Sequence, residues 1–188
     1  MKGRYEVCLA GEGGQGLALA GLVLAEAVVY GGKNVVTTQS VGAGQRGGIS
    51  QTSIIISDGE IDYPKVLAAD LFVALTQDAF DRYRSDVARG GLIIVDSSCV
   101  EAKEADGLDI IPIPLREIAL KALGEATATN LLALGVITEL TRAVSRTAIR
   151  DAVKRNLPPK SLGLNKKALE KGFEVGRAIR AERRAKPV

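Results

Sequence analysis

The first thirty residues constrain the fold more than any other stretch. Residues 5–10 are a short, mostly apolar run, Gly11-Glu12-Gly13-Gly14-Gln15-Gly16 follows, and residues 17–30 are rich in helix formers and stop at Gly31-Gly32. A buried strand, a glycine turn and a helix in that order open a βαβ unit, which commits the chain to a sheet with helices packed on it. The helix is unusual in carrying one charge, Glu26, across residues 17–29. A helix lying on a sheet normally keeps a polar outer stripe, and one apolar all round is covered on every side. Residues 130–140 are nearly as apolar. Either these two helices cover each other or one faces another subunit. The shortage of elements to bury both favours an interface, with self-association of the isolated chain as one form of it.

Further along, residues 35–38 read as a second strand, and residues 51–57 as a third, β-rich and turned by Asp58-Gly59, a candidate antiparallel neighbour. Residues 40–48 are irregular, because Gly42, Gly44, Gly47 and Gly48 crowd into them. Residues 71–75 form a fourth strand followed by a short helix over 78–84. Residues 92–95, after Gly90-Gly91, form a fifth, and 110–113 a sixth that Pro112 and Pro114 push to an edge. Beyond residue 114 the pattern is helical, over 115–123, 130–144, 147–156 and, past a Pro158-Pro159 linker, 165–184. The expected fold class is α/β: a three-layer Rossmann-like domain with a mostly parallel, mixed sheet and a helical C-terminus. One domain is expected over residues 1–188, with 177–188 a basic tail.

Composition narrows the chemistry. The 188 residues include no His, which removes Ser-His-Asp and Cys-His nucleophile pairs, imidazole bases and imidazole metal ligands. The two cysteines, Cys8 and Cys99, are too few for an iron–sulfur cluster or a disulfide scaffold. No metal site is expected, and Cys99, with no cation near it in sequence, reads as inert. The net charge of +3 comes from the tail, where residues 177–188 hold five cations and one Glu. The body is close to neutral and only seven residues are aromatic, so nucleic acid is not an expected partner. The longest apolar stretch, 17–25, is about half what a membrane span needs. Met1-Lys2-Gly3-Arg4 runs straight into the first strand, and a cytoplasmic location is expected.

Residues 11–16 have G-x-G-x-x-G spacing in the strand-to-helix context that a dinucleotide fingerprint requires. The acidic residue that should follow about twenty positions later is missing, since that region reads Thr37-Thr38-Gln39-Ser40. The turn therefore either packs helix on sheet or binds a nucleotide of some kind, and NAD-dependent hydride transfer is disfavoured. A second loop surrounds Arg46 with Gly42, Gly44, Gly47 and Gly48. One permanent cation among exposed backbone amides suits a phosphate, a carboxylate or a partner's acidic groups. Thr76-Gln77-Asp78 and Asp96-Ser97-Ser98-Cys99 follow the fourth and fifth strands, where open α/β sheets bind ligands and where helix caps and turns also fall.

These residues resemble a known family. Gly11-x-Gly13-Gly14-Gln15-Gly16 followed by Arg46-Gly47-Gly48 looks like the gamma subunit of 2-oxoacid:ferredoxin oxidoreductases. Ser57-Asp58 with Ile61-Asp62-Tyr63-Pro64, the Thr129-Asn130-Leu131-Leu132-Ala133-Leu134-Gly135 run, and Asn165, Ala168 and Gly172 extend the likeness from residue 5 to about 176. The 2-oxoglutarate type is most similar, with pyruvate, branched-chain and indolepyruvate types close behind; Gln45 before Arg46 resembles the indolepyruvate type. The resemblance implies a complex that decarboxylates a 2-oxoacid on thiamine diphosphate, passes electrons through iron–sulfur clusters to ferredoxin and forms an acyl-CoA. This chain has no G-D-G…N-N thiamine motif and no cysteine cluster set. By the resemblance it is a non-catalytic subunit, and thiamine-binding and ferredoxin-like subunits are its partners. The candidate binding residues are Gly11, Gly13, Gly14, Gln15, Gly16, Arg46, Gly47, Gly48, Thr76 and Gln77, with CoA or a neighbouring subunit as what they contact. A free-standing nucleotide-binding oxidoreductase and a ligand-free homodimeric scaffold are the alternatives.

Overall fold

Strand β1 (Arg4–Glu12) lies near the middle of a six-stranded sheet ordered β2-β3-β1-β4-β5-β6. The computed structural model describes residues 3–42, 48–102 and 108–185. The other strands are β2 (Asn34–Val41), β3 (Ile49–Ser57), β4 (Ala69–Ala74), β5 (Val87–Asp96) and β6 (Asp109–Ile113). β1, β4, β5 and β6 run parallel, and β3 is antiparallel to both of its neighbours. The mixed, mostly parallel sheet expected from the strand pattern is what forms, and β6 with its Pro112 is an edge. Because β3 doubles back on β2, it fills the place beside β1. Its first residue, Ile49, pairs with Glu12, the last residue of β1. The reversal thus sets the end of the second glycine-rich segment against the first.

The helices are α1 (Leu17–Tyr30), α2 (Gln77–Tyr83), α3 (Leu115–Leu123), α4 (Thr129–Thr141), α5 (Arg146–Asn156) and α6 (Pro159–Ala185). α6 starts six residues before the expected position. Pro159 ends no helix because it is the first helical residue, where its fixed φ suits the turn and its missing N–H has no partner to lose. Only Leu157 and Pro158 are left between α5 and α6. β2 continues past residue 38 to Val41, held by its ladder with β3, and β5 begins at Val87, five residues early. Gly90, at φ +77, lets β5 pass through an irregularity that the sequence pattern treats as an end.

Period-two alternation divides the strand side chains between two cores. Val7, Leu9, Ile54, Ile56, Leu71, Val73 and Ile94 meet α1, α3, α4, α5 and α6 on one face. Cys8, Ala10, Phe72, Ala74, Ile93 and Val95 meet Phe80 of α2 on the other. Leu131, Leu132, Leu134, Val136 and Ile137 of α4 are all fully buried, each contributing about 1.5–3 kcal/mol of transfer free energy. Neither apolar helix covers the other as its main partner. α6 covers α4, and α5 covers much of α1. The α4–α6 contact is backbone to backbone: a Cβ on Gly135 would stand 2.7 Å from Gly172 Cα, and one on Gly172 2.8 Å from Gly135 Cα. α1 keeps Leu22, Val29 and Tyr30 about half exposed. The tail is not merely solvated, since Arg180 pairs with Glu139 and Arg183 with Asp109.

Candidate functional site

β1 and β4 are parallel neighbours, but their chains leave in opposite directions, β1 into α1 on one face and β4 into α2 on the other. Such a divergence opens a crevice at the carboxyl ends of the strands, the usual ligand position in an open α/β sheet. The glycine turn stands there. It is closed on itself: Gln15 Oε1 accepts the Glu12 N–H at 2.9 Å, and the Gln15 N–H donates to the Glu12 carbonyl at 3.2 Å.

The motif glycines are not equivalent. A Cβ on Gly11 would collide with Gln15 Oε1 and lie 3.1 Å from Leu75 Cβ. Gly16 adopts φ +73, and a Cβ there would strike Asn130 Nδ2, which donates to the Gly16 carbonyl at 3.1 Å. Gly14 adopts φ +94 with open space over it. Gly13 alone is required by none of this. Its N–H donates to the Gly48 carbonyl at 3.0 Å, and an added Cβ would meet only that oxygen, at an ordinary 3.6 Å.

Above the turn, α1 begins with no side-chain cap and no acid in its first turn. An uncapped helix start carries unsatisfied N–H groups and a partial positive charge, which together attract an anion. Beside the turn lies a cavity of about 190 Å³ lined by Glu12, Gly14, Gln15, Leu75, Asp96, Arg116, Ala126, Thr127 and Thr129. Asp96 is buried and its carboxylate is occupied, accepting the N–H groups of Ser98 and Arg116, each at 3.1 Å. Glu12 is exposed and opposes an anion, while the Arg116 guanidinium favours one.

Of the expected site residues, Gly11, Gly13, Gly14, Gln15, Gly16 and Gly48 come together here. Arg46 and Gly47 lie outside the described residues. Thr76 caps α2, accepting the Ala79 N–H at 3.4 Å. Gln77 ties α2 to the following loop, accepting the Glu101 N–H at 2.8 Å and donating to Asp81 at 3.2 Å. It lines a separate cavity with Asp81, Arg84, Cys99 and Glu101. Asn130 is the site residue that sequence reasoning passed over. It is buried at the start of α4, 114 positions from the Gly16 it holds. Its signals were a lone amide at the head of an apolar helix and its place in the 129–135 run that carries the family likeness.

The missing ribose carboxylate has a structural counterpart, because the reversed β3 takes the position beside β1 that β2 holds in a dinucleotide fold. Cys8 is no nucleophile. Burial pushes its thiol up to about 11, although Gln51 Nε2 donates to Sγ at 3.2 Å and pulls the other way. Among the described residues no group of three or more Cys, Asp or Glu side chains is placed to hold a metal ion, and no helix is long and apolar enough to cross a membrane.

A mixed, mostly parallel sheet with helices on both faces and a glycine-lined crevice at the carboxyl ends of β1 and β4 is an open α/β fold with its ligand position at the glycine turn. The chain belongs to the pyruvate ferredoxin/flavodoxin oxidoreductase family, whose model matches residues 6–175. Its relatives include the 2-oxoglutarate synthase subunit KorC of Methanocaldococcus jannaschii, 37% identical over 95% of this chain and 97% of that protein. The keto/oxoacid ferredoxin oxidoreductase gamma subunit of Geobacter sulfurreducens superposes with a TM-score of 0.82 at 38% identity, covering 93% of this chain and 99% of that one. The fold alone recurs, at a TM-score of 0.84 and 22% identity, in a chain of the 2-oxoglutarate:ferredoxin oxidoreductase of Magnetococcus marinus. It covers 95% of this chain and 32% of that longer one. The family resemblance carried by the two glycine loops is borne out.

Proposed function

We propose that this chain is the gamma subunit of a 2-oxoacid:ferredoxin oxidoreductase acting on 2-oxoglutarate, and that its glycine turn receives an anionic group of coenzyme A at a site completed by other subunits. The observation that carries the second part is Gly13, a glycine that nothing among the described residues requires, beside the open space over Gly14 and an uncapped helix start. A backbone without side chains at that point lets a phosphate come within hydrogen-bond reach of N–H groups. Among the described residues no acceptor takes the N–H of Gly14 or Gly16. Gln15 and Asn130 fix the shape of the turn, and the second loop carries a cation, Arg46, in its sequence. Support for 2-oxoglutarate comes from the KorC likeness, which runs nearly the full length of both chains.

In such a complex thiamine diphosphate supplies the carbanion chemistry of decarboxylation, and iron–sulfur clusters relay the electrons. The residues described here fit neither group, having one buried thiol, one exposed thiol and no metal-ligating cluster. Those steps therefore fall to thiamine-binding and ferredoxin-like partner subunits, in the cytoplasm. What this chain's own residues do is bind and orient an anion. Affinity purification of the chain from its native host is the test. It should bring down thiamine-binding and cluster-bearing subunits and a CoA-dependent reduction of viologen by 2-oxoglutarate. A chain that elutes alone overturns the subunit reading, and faster turnover of indolepyruvate or pyruvate overturns the substrate. Arg46→Ala in the assembled complex should raise KM for CoA at least about fivefold, about 1 kcal/mol. Unchanged kinetics would remove the second loop from the site.

A further inference from the structure

The far end of α1 borders a second cleft, about 20 Å from the glycine turn by the length of that helix. It is a cavity of about 540 Å³ where the end of α1, the end of α4, the start of α5 and one turn of α6 meet. Its lining holds four cations, Lys33, Arg142, Arg146 and Arg180, and one carboxylate, Glu139. Glu139 is buried and serves to fix two of the cations. Its carboxylate accepts from Arg146 Nε and lies 3.7 Å from Arg180 Nη1, which also donates to the Glu139 backbone carbonyl at 3.1 Å. Lys33 is paired with exposed Asp58 at 2.9 Å, a contact that water weakens.

Arg142 is different. It has no ion-pair partner among the described residues, and it is the one non-glycine residue among them with a positive φ, +54. It follows the last residue of α4, the position where glycine takes this conformation freely and an L-residue does so at a cost. A strained arginine, without an ion-pair partner among the described residues, therefore lines the same cavity as two arginines already held in place. Strain of this kind marks positions retained for function rather than for stability.

Guanidinium forks match phosphate oxygens two at a time, and the cavity has the size of a small-molecule site with Val28, Ala143, Val144 and Ala148 as partly apolar walls. We propose that this cleft binds a small diphosphate- or polyphosphate-bearing molecule through Arg142, Arg146 and Arg180. The proposal is independent of the reading of the glycine turn. Inorganic pyrophosphate, titrated calorimetrically into the full chain at constant ionic strength, tests it. Saturable one-to-one binding is expected, with Arg142→Gly weakening it at least about tenfold while the unliganded variant melts no earlier than wild type. Absence of saturable binding, or wild-type affinity in Arg142→Gly, overturns the proposal. So does affinity lost in Gly13→Ala and kept in Arg142→Gly, which puts the anion at the glycine turn. An octaglutamate peptide that binds more tightly than pyrophosphate also overturns it, in favour of an acidic protein segment.

Discussion

Replacing two glycines of one turn by alanine should have opposite consequences. In Gly16→Ala the new residue must hold φ +73, which costs about 1–2 kcal/mol for an L-residue. Its Cβ also displaces the buried Asn130 amide, breaking a part-buried hydrogen bond for about 1–3 kcal/mol more. For a chain of this size the sum lowers Tm by about 4–20 °C. In Gly13→Ala the methyl meets only the Gly48 carbonyl at 3.6 Å, and the loss of unfolded-state freedom offsets any small strain. Its Tm should stay within about 2 °C of wild type. Differential scanning calorimetry of the isolated chain reads both. The Gly13→Ala chain, assembled with its partners, should then show KM for CoA raised at least about tenfold, about 1.4 kcal/mol, because in the proposed site the methyl stands where a phosphate would approach. If Gly13→Ala melts as early as Gly16→Ala, the turn geometry is wrong. If it is stable and its kinetics are unchanged, nothing binds over the turn.

Gly172→Ala forces a methyl into the α4 backbone and should destabilise the chain by at least about 3 kcal/mol, seen as a shifted urea midpoint with unaltered slope. With burial holding the Cys8 thiol up at about 11 and Cys99 exposed, Ellman's reagent at pH 8 should find one fast thiol per chain, and a second only in denaturant; two fast thiols would refute the burial. The hydrogen bond from Arg146 holds the Glu139 carboxyl below the usual carboxylate range despite its burial. Its stabilisation is therefore complete above the unfolded value of about 4.3 and is lost as pH falls through the lower folded value. Glu139→Gln should melt earlier than wild type at pH 7, with the gap closing below about pH 4, and a gap independent of pH would show that the charge contributes nothing.

What was legible in the sequence was what short-range patterning controls. Residues 17–30 carry their own stop at Gly31-Gly32, and the helix ends where expected. The β-rich run before Asp58-Gly59 turned out antiparallel, and Pro112 did mark an edge. What escaped depends on residues far apart in the chain. The cover over α4 is set by Gly135 meeting Gly172, and neither glycine signals the other across 37 positions. Asn130 is a site residue only because α4 brings it to Gly16. Thr76 and Gln77 lie at the correct end of the sheet, but their side chains are engaged in capping and tying α2, a distinction that local sequence does not carry. Arg142 falls inside the helix expected over 130–144, and the positive φ that ends α4 there carries no local sequence signal.

The glycine contact between α4 and α6 also sets a timetable for synthesis. α4 ends at Thr141 and its cover ends at Ala185, so a ribosome adding about 5–20 residues per second works for about 2–9 s between completing the one and completing the other. Throughout that interval the most completely buried helix of the finished fold has no lid and is a natural client for a chaperone. A stop codon anywhere in that window yields a sticky fragment, not a smaller working subunit. Quality control of this protein is decided when α6 is complete.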